Sequence, residues 1–197
     1  MCYLKKSGTI LKICPKIDKI KKVIQMKTYN KIFNAFNKLI QTKSFDDITV
    51  LEICQKANVS TSSFYRHYKD KYDVMNDNYK RILDQYINSK QNHNYEDVFI
   101  NLFTMSKELH YLKNAFDYTG INSLGDFIYQ YSYNTVIEMC KTKNIHFEDK
   151  DLLLLDVFCG GASIMYQHYI LGKYDLSPKQ AGHLLYQMFP ENFKISW

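Results

Sequence analysis

Residues 49–72, TVLEICQKANVSTSSFYRHYKDKY, constrain the fold more than any other stretch, because they encode two short helices joined by a tight turn. Thr49 is placed to cap the first helix with its hydroxyl, and Glu52, three residues on, to reach back to the N–H of the cap. Val50, Leu51, Ile53, Cys54 and Ala57 recur at helical spacing and predict a buried face. Asn58 tolerates the left-handed backbone that ends such a helix, and Val59 plugs the turn. The chain therefore reverses at Asn58.

Ser60 restarts it as an N-cap. Thr61, Ser62 and Ser63 then present three small hydroxyl residues on the first turn of the second helix. Phe64 and Tyr68, four apart, face inward together. Tyr65, Arg66 and His67 carry donors on the remaining faces, where anionic oxygens can be met. Asp70 caps a third, longer helix with Lys71 in its first turn. This is the layout of a helix-turn-helix DNA reader.

At these residues the sequence resembles the TetR family of bacterial transcriptional regulators. The family pattern T-V-x-x-I-A-x-x-A-G-V-S-x-x-x-F-Y-x-H-F-x-x-K is met in register by Thr49, Val50, Ile53, Ala57, Val59, Ser60, Phe64, Tyr65, His67 and Lys71, with Tyr68 in place of the final Phe. Cys54 stands where the family has alanine, Asn58 where it has the turn glycine, and Ser44 where it has the glycine before Phe45. Cys is a small buried residue like alanine, and Asn is a common substitute where φ is positive. The resemblance runs from Ile32 to Lys71. It implies a DNA-facing set of Thr49, Ser60, Thr61, Ser62, Ser63, Tyr65, His67 and Lys71. Thr49, Tyr65 and Lys71 would touch phosphates, which position, and Thr61, Ser62 and Ser63 would approach base edges, which specify. His67 is equally placed to hold the helix packing.

Charge supports the same division. Residues 1–86 hold 17 Lys or Arg against 8 Asp or Glu, whereas residues 87–197 hold 9 against 12. A basic front half suits phosphate binding, since each neutralised phosphate releases counterions. The five cysteines, Cys2, Cys14, Cys54, Cys140 and Cys159, show no paired spacing and suit a reducing cytoplasm. No apolar run approaches the ~20 residues that span a bilayer, so no membrane partner is expected. The six histidines include no pair four apart, and no cysteine lies close in sequence to any of them. His93 and Asp97 lack a third ligand, so neither a metal nor another cofactor is expected. No nucleophile motif or phosphate-binding glycine loop occurs. An enzyme reading has nothing to stand on.

The chain order predicts an all-α protein in three parts. Residues 1–25 are basic and interrupted by Pro15. They read either as an arm along the DNA backbone or as sequence ahead of a start at Met26–Lys27. Residues 26–72 form the reader, opening with an amphipathic helix over 27–42 through Tyr29, Ile32, Phe33, Phe36, Leu39 and Ile40. Its lysines Lys27, Lys31 and Lys38 are a solvated face, with Lys27 nearest to a phosphate. Residues 73–197 form a helical rear domain entered by the helix that Asp70 caps, with 88–95 as a polar loop. Further apolar segments cover 96–108, 109–118 and 122–142, with Gly120 and Gly125 interrupting the pattern.

Residues 149–171 are apolar nearly all round, and Gly160 and Gly161 within them each cost about 1 kcal/mol relative to alanine. That cost suggests close approach of another helix. Gly172 ends this helix, Ser177-Pro178 starts the next, and Ala181, Leu184, Leu185, Met188 and Phe189 form its stripe. The resemblance implies that these two helices pair with their two-fold mates as a four-helix bundle, giving a homodimer interface of Phe158, Gly161, Met165, Leu184, Leu185 and Met188. It also implies a pocket for a small apolar or aromatic effector, for which Phe99, Phe103, Phe116, Tyr129 and Tyr133 are the candidate lining. The expected function is a cytoplasmic repressor that binds double-stranded DNA at a palindromic operator and is released by the effector. The alternative is a regulator or adaptor whose rear domain docks a partner protein and takes no small molecule.

Overall fold

Asn58 adopts φ 51° and ψ 56°, the left-handed region, and its N–H and that of Val59 close on the carbonyls of Gln55 and Cys54. That one residue ends α2 (Val50–Ala57) and turns the chain into α3 (Thr61–Phe64). In this computed structural model, residues 15–116 and 122–195 are described, with side chains from residue 26 onward. The expected roles of Cys2, Cys14, Gly120 and the first 14 residues of the basic arm lie outside the described residues. Among the described residues the secondary structure is entirely helical.

α1 (Pro15–Ile40) starts earlier than the sequence periodicity predicts. It packs Ile32, Phe36 and Ile40 against Phe45, Ile48, Ile53 and Phe64, all essentially inaccessible to solvent. Each such side chain contributes about 1.5–3 kcal/mol of transfer free energy, enough to hold helices as short as α2 and α3. α3 is assigned only through Phe64. Tyr68 still faces inward because its N–H bonds the Phe64 carbonyl at 3.1 Å. Leu51 departs from expectation. Ile53, Cys54 and Ala57 are buried, but Leu51 is 58% exposed, since two buried neighbours in one turn leave its direction pointing outward.

Asp70 caps α4 (Lys71–Asn88), its carboxylate accepting from Asp73 N at 2.8 Å. The expected boundary at residue 72 falls in the first turn of this helix, which continues unbroken into the rear half. One buried cluster accordingly runs from Ile32 to Leu185.

The rear half comprises α5 (Tyr95–Glu108), α6 (Leu112–Phe116), α7 (Leu124–Thr142), α8 (Asp149–Ile170) and α9 (Pro178–Met188), followed by a 3-10 turn at Glu191–Phe193. Asn94, Ser123 and Ser177 cap α5, α7 and α9 with side-chain oxygens, and Glu148 and Asp151 close a reciprocal box on α8. α9 lies against α5 so closely that a Cβ on Gly182 would stand 2.6 Å from Ile100 N. The glycine demanded by a close crossing is thus Gly182. At Gly160 and Gly161 nothing from elsewhere among the described residues approaches within 4 Å of where a Cβ would be. Cys54, Cys140 and Cys159 are free and buried, and burial pushes the Cys159 thiol up to about 11.

Candidate DNA interface and effector cavity

The reading edge is built by its caps. Ser60 Oγ accepts from Ser63 N at 3.1 Å and lies 2.9 Å from Ser63 Oγ, so both hydroxyls are occupied in shaping the turn. Thr61 and Ser62 are exposed. Tyr65 is 60% exposed, its ring braced edge-on against Phe64 at 5.4 Å. Arg66 is exposed beside it. His67 is half-buried with its ring 6.1 Å from that of Tyr29. Burial first, and the Arg66 charge second, lower its pKa, so its imidazole is held neutral.

Thr49 is exposed, and its Oγ1 accepts from Glu52 N at 3.2 Å. The Glu52 carboxylate turns mainly to Lys43 at 2.6 Å rather than only back to the cap. Lys71 is committed more deeply than the sequence suggests. Its Nζ donates to Phe45 O at 2.9 Å and Asp46 O at 3.1 Å, and sits 4.6 Å from the centre of the Phe45 ring. An ammonium has three donors, so one remains for a phosphate while two pin the α1–α2 loop.

A capped pair of short helices with Thr61, Ser62, Tyr65 and Arg66 outward has the architecture of a groove-entering reader. Residues 32–77 match the family model described as bacterial regulatory proteins, tetR family. Over this segment the chain is similar to the TetR family. No curated protein matches it in sequence. Among solved structures, it is similar to the dihydroxyacetone kinase operon activator DhaS, with 15% identity, 82% of this chain and 93% of that one covered, and a TM-score of 0.53. A TetR transcriptional regulator from Rhodococcus sp. RHA1 gives 15% identity, 83% and 93% coverage and a TM-score of 0.52. These likenesses extend the all-helical fold beyond the reader. Among the described residues no three His, Cys, Asp or Glu side chains stand together to hold a metal ion, and no helix is long and apolar enough to cross a membrane.

The reader is mounted on α4. Asp77 accepts the hydroxyls of Tyr29 at 2.6 Å and Tyr68 at 2.8 Å, tying α1 and the end of the reading segment to one carboxylate. Arg81 lies over the rings of Tyr29 and Phe33, 4.4 and 4.3 Å from their centres. Asp73 and Asn76 each bond Asn122, linking the first turns of α4 to the start of α7.

Further along, α4 becomes a wall. A cavity of about 500 Å³ opens between α4, α5 and α7, lined among others by Tyr79, Leu83, Phe99, Leu102, Ile128 and Tyr131. That volume lies within the ~300–1,000 Å³ of small-molecule sites. Asp84 is the carboxylate of its lining; it accepts the Tyr131 hydroxyl and pairs with Lys80 at 2.5 Å.

Of the five aromatics expected to line a pocket, Phe99 lines this cavity, and Tyr129 lines a separate one between α7 and α8. Phe103 and Phe116 are instead closed core, packed on Tyr166. Tyr129 bonds Asp156 on α8, and Tyr133 packs with the second buried cluster. The cavity face of α7 is the stripe Ile128, Tyr131, Ser132, Thr135, Val136 and Met139. Tyr129 and Tyr133 each sit one residue off that stripe, about 100° around the helix.

α8 and α9 leave an apolar face uncovered. Leu154, Val157, Gly161 and Ile164 recur at three and four along α8, and Leu154, Val157 and Ile164 are 56%, 68% and 56% exposed. Leu184 and Met188 extend the face on α9. Of the six residues expected at a dimer interface, Gly161, Leu184 and Met188 are exposed. Phe158 and Met165 are half-buried against the chain's own core, and Leu185 is buried within it at 2%. Leu185 points inward because its i−4 neighbour Ala181 and Gly182 face α5. Leu154, Val157 and Ile164 were concealed in the sequence by the apolarity of α8 on every side.

Proposed function

We propose that the chain is a homodimeric, sequence-specific repressor that binds a palindromic DNA operator and is released by a small apolar effector in the α4–α5–α7 cavity. The observation that carries this reading is the double duty of α4, whose first turns hold the reader through Lys71 and Asp77 while its later turns, with Tyr79, Leu83 and Asp84, wall the cavity. A ligand shifts an equilibrium only through different affinity for the two arrangements. An occupant that spreads α4 from α7 would strain the Tyr131–Asp84 bond and retilt the reader's mount.

The uncovered α8–α9 face supports pairing of two copies, which would set two readers about 34–36 Å apart for successive major grooves. Thr61 and Ser62 would approach base edges, Thr49, Tyr65 and Lys71 the phosphates. Selection of duplexes from a random pool, followed by footprinting, tests the reading. Enriched inverted repeats protected on one face of the duplex are expected, with compounds screened for loss of the footprint. Failure to enrich any duplex would remove the DNA-binding assignment. Val157→Glu should give a monomer in light scattering and lose the paired half-site footprint, and a variant that stays dimeric would displace the interface from α8.

A further inference from the structure

Among the described residues, large apolar side chains are exposed in few places. Apart from Met26 and Tyr174 they gather on α8 and α9, where a second copy can cover them, and on the reader, where Leu51 and Tyr65 are 58% and 60% exposed. Leu51 lies on the first turn of α2, two residues after the exposed cap Thr49. Together with Gln55 and Asn58, four and seven residues on and also exposed, it forms an outward ridge that leads into the turn before Thr61. Nothing in the chain's own core explains a leucine here, because the inward positions are taken by Ile53, Cys54 and Ala57.

The edge also pairs polar groups with an apolar one. Guanine is read by bidentate Arg or Lys and adenine by Asn or Gln, whereas the thymine 5-methyl group is read by apolar contact. Gln55, Asn58 and Arg66 are exposed on this edge and bring amide and guanidinium groups, and Leu51, Thr61, Ser62 and Tyr65 add methyls, hydroxyls and a ring face, with Leu51 the aliphatic side chain among them. Resting on the proposal that this element enters the major groove, we infer that Leu51 is a specificity-determining DNA contact. It reads thymine 5-methyl groups through its isobutyl side chain. The half-site that this edge prefers is correspondingly thymine-bearing at the positions α2 covers.

The test uses a duplex selected by the full-length protein from a random pool, and the same duplex with each thymine replaced in turn by uracil, which removes only the 5-methyl. Wild type should lose about 5- to 10-fold in affinity at one or two positions of each half-site. Leu51→Ala, an exposed change that leaves the thermal melt in place, should bind thymine and uracil versions alike at those positions. Discrimination that persists in Leu51→Ala, or wild type indifferent to every uracil replacement, would overturn the inference while leaving DNA binding intact. A protein that selects no duplex at all would instead overturn the DNA-reading proposal on which it rests.

Discussion

Tyr68 donates its hydroxyl to Asp77 at 2.8 Å, joining the end of the reading segment to the second turn of α4. Burial, then the hydrogen bond to Asp77, drive the phenol pKa far above its ordinary value, so the group remains a donor throughout the physiological range. Tyr29 brings a second hydroxyl to the same carboxylate from α1. Three elements thus meet at one partly buried anion.

Asp77→Ala should therefore cost more than a surface substitution. Two hydrogen bonds to a charged acceptor are lost and two phenols are left short of a partner, for a loss of about 3 kcal/mol. Tyr68→Phe, which leaves the Tyr29 bond in place, should cost about half as much. Urea denaturation measures both, and equal losses would mean that the two tyrosines do not share the carboxylate in solution.

Gly182→Ala should be among the most damaging small substitutions in the chain. Its new methyl would meet the backbone of Ile100 at 2.6 Å, so α5 and α9 must separate, at a cost of about 1–3 kcal/mol or more. Gly160→Ala has open space and helical backbone, and should leave stability unchanged or raise it by up to about 1 kcal/mol. Thermal melts of the two variants should move in opposite directions or at least differ by several degrees.

Leu83→Trp places a larger side chain in the cavity from the α4 side, and Val136→Phe does so from α7. Each should abolish the response to a compound that releases wild type from DNA, while DNA affinity without compound changes less than about threefold. Val136→Phe is the cleaner of the two, since α7 does not hold the reader. Retained release in both, measured by fluorescence anisotropy, would place the effector elsewhere.

His67 should make stability fall on the acid side. Its pKa is lowered in the folded chain, so the unfolded chain binds the proton more tightly, and stability is complete above the unfolded value of about 6.5 and is lost as pH falls through and below it. The slope of denaturation midpoint between pH 7 and pH 5 should flatten in His67→Asn. An unchanged slope would assign the acid sensitivity to carboxylates.

The reader was legible in the sequence because its signals are local. Caps at Thr49, Ser60 and Asp70, the left-handed Asn58 and the inward Phe64–Tyr68 pair are each fixed by residues within one or two turns. Leu51 was misplaced because alternation along eight residues cannot distinguish a wide buried face from a narrow one. The rear half depends on which faces meet across long separations. Gly182 gives no local sign of Ile100, 82 positions away, whereas Gly160 and Gly161 drew attention for a crossing that the chain itself does not make. The cavity was half-read for the same reason: the α7 stripe is periodic, but choosing Tyr131 over Tyr129 and Tyr133 requires knowing where α4 lies.

α4 is 18 residues long, about 27 Å, and serves both the reader and the cavity wall. This sharing limits how the protein can diversify. Side chains on α5 and α7 face the cavity without supporting the reader, so they are free to drift toward new occupants one substitution at a time. Changes on α4 are inherited at both ends, and a lineage that altered Tyr79 or Leu83 to accept a different molecule would have to re-earn its fit to DNA in the same step. The record of past ligand changes among descendants of this chain should accordingly be written on α5 and α7, with α4 the slow-changing spine.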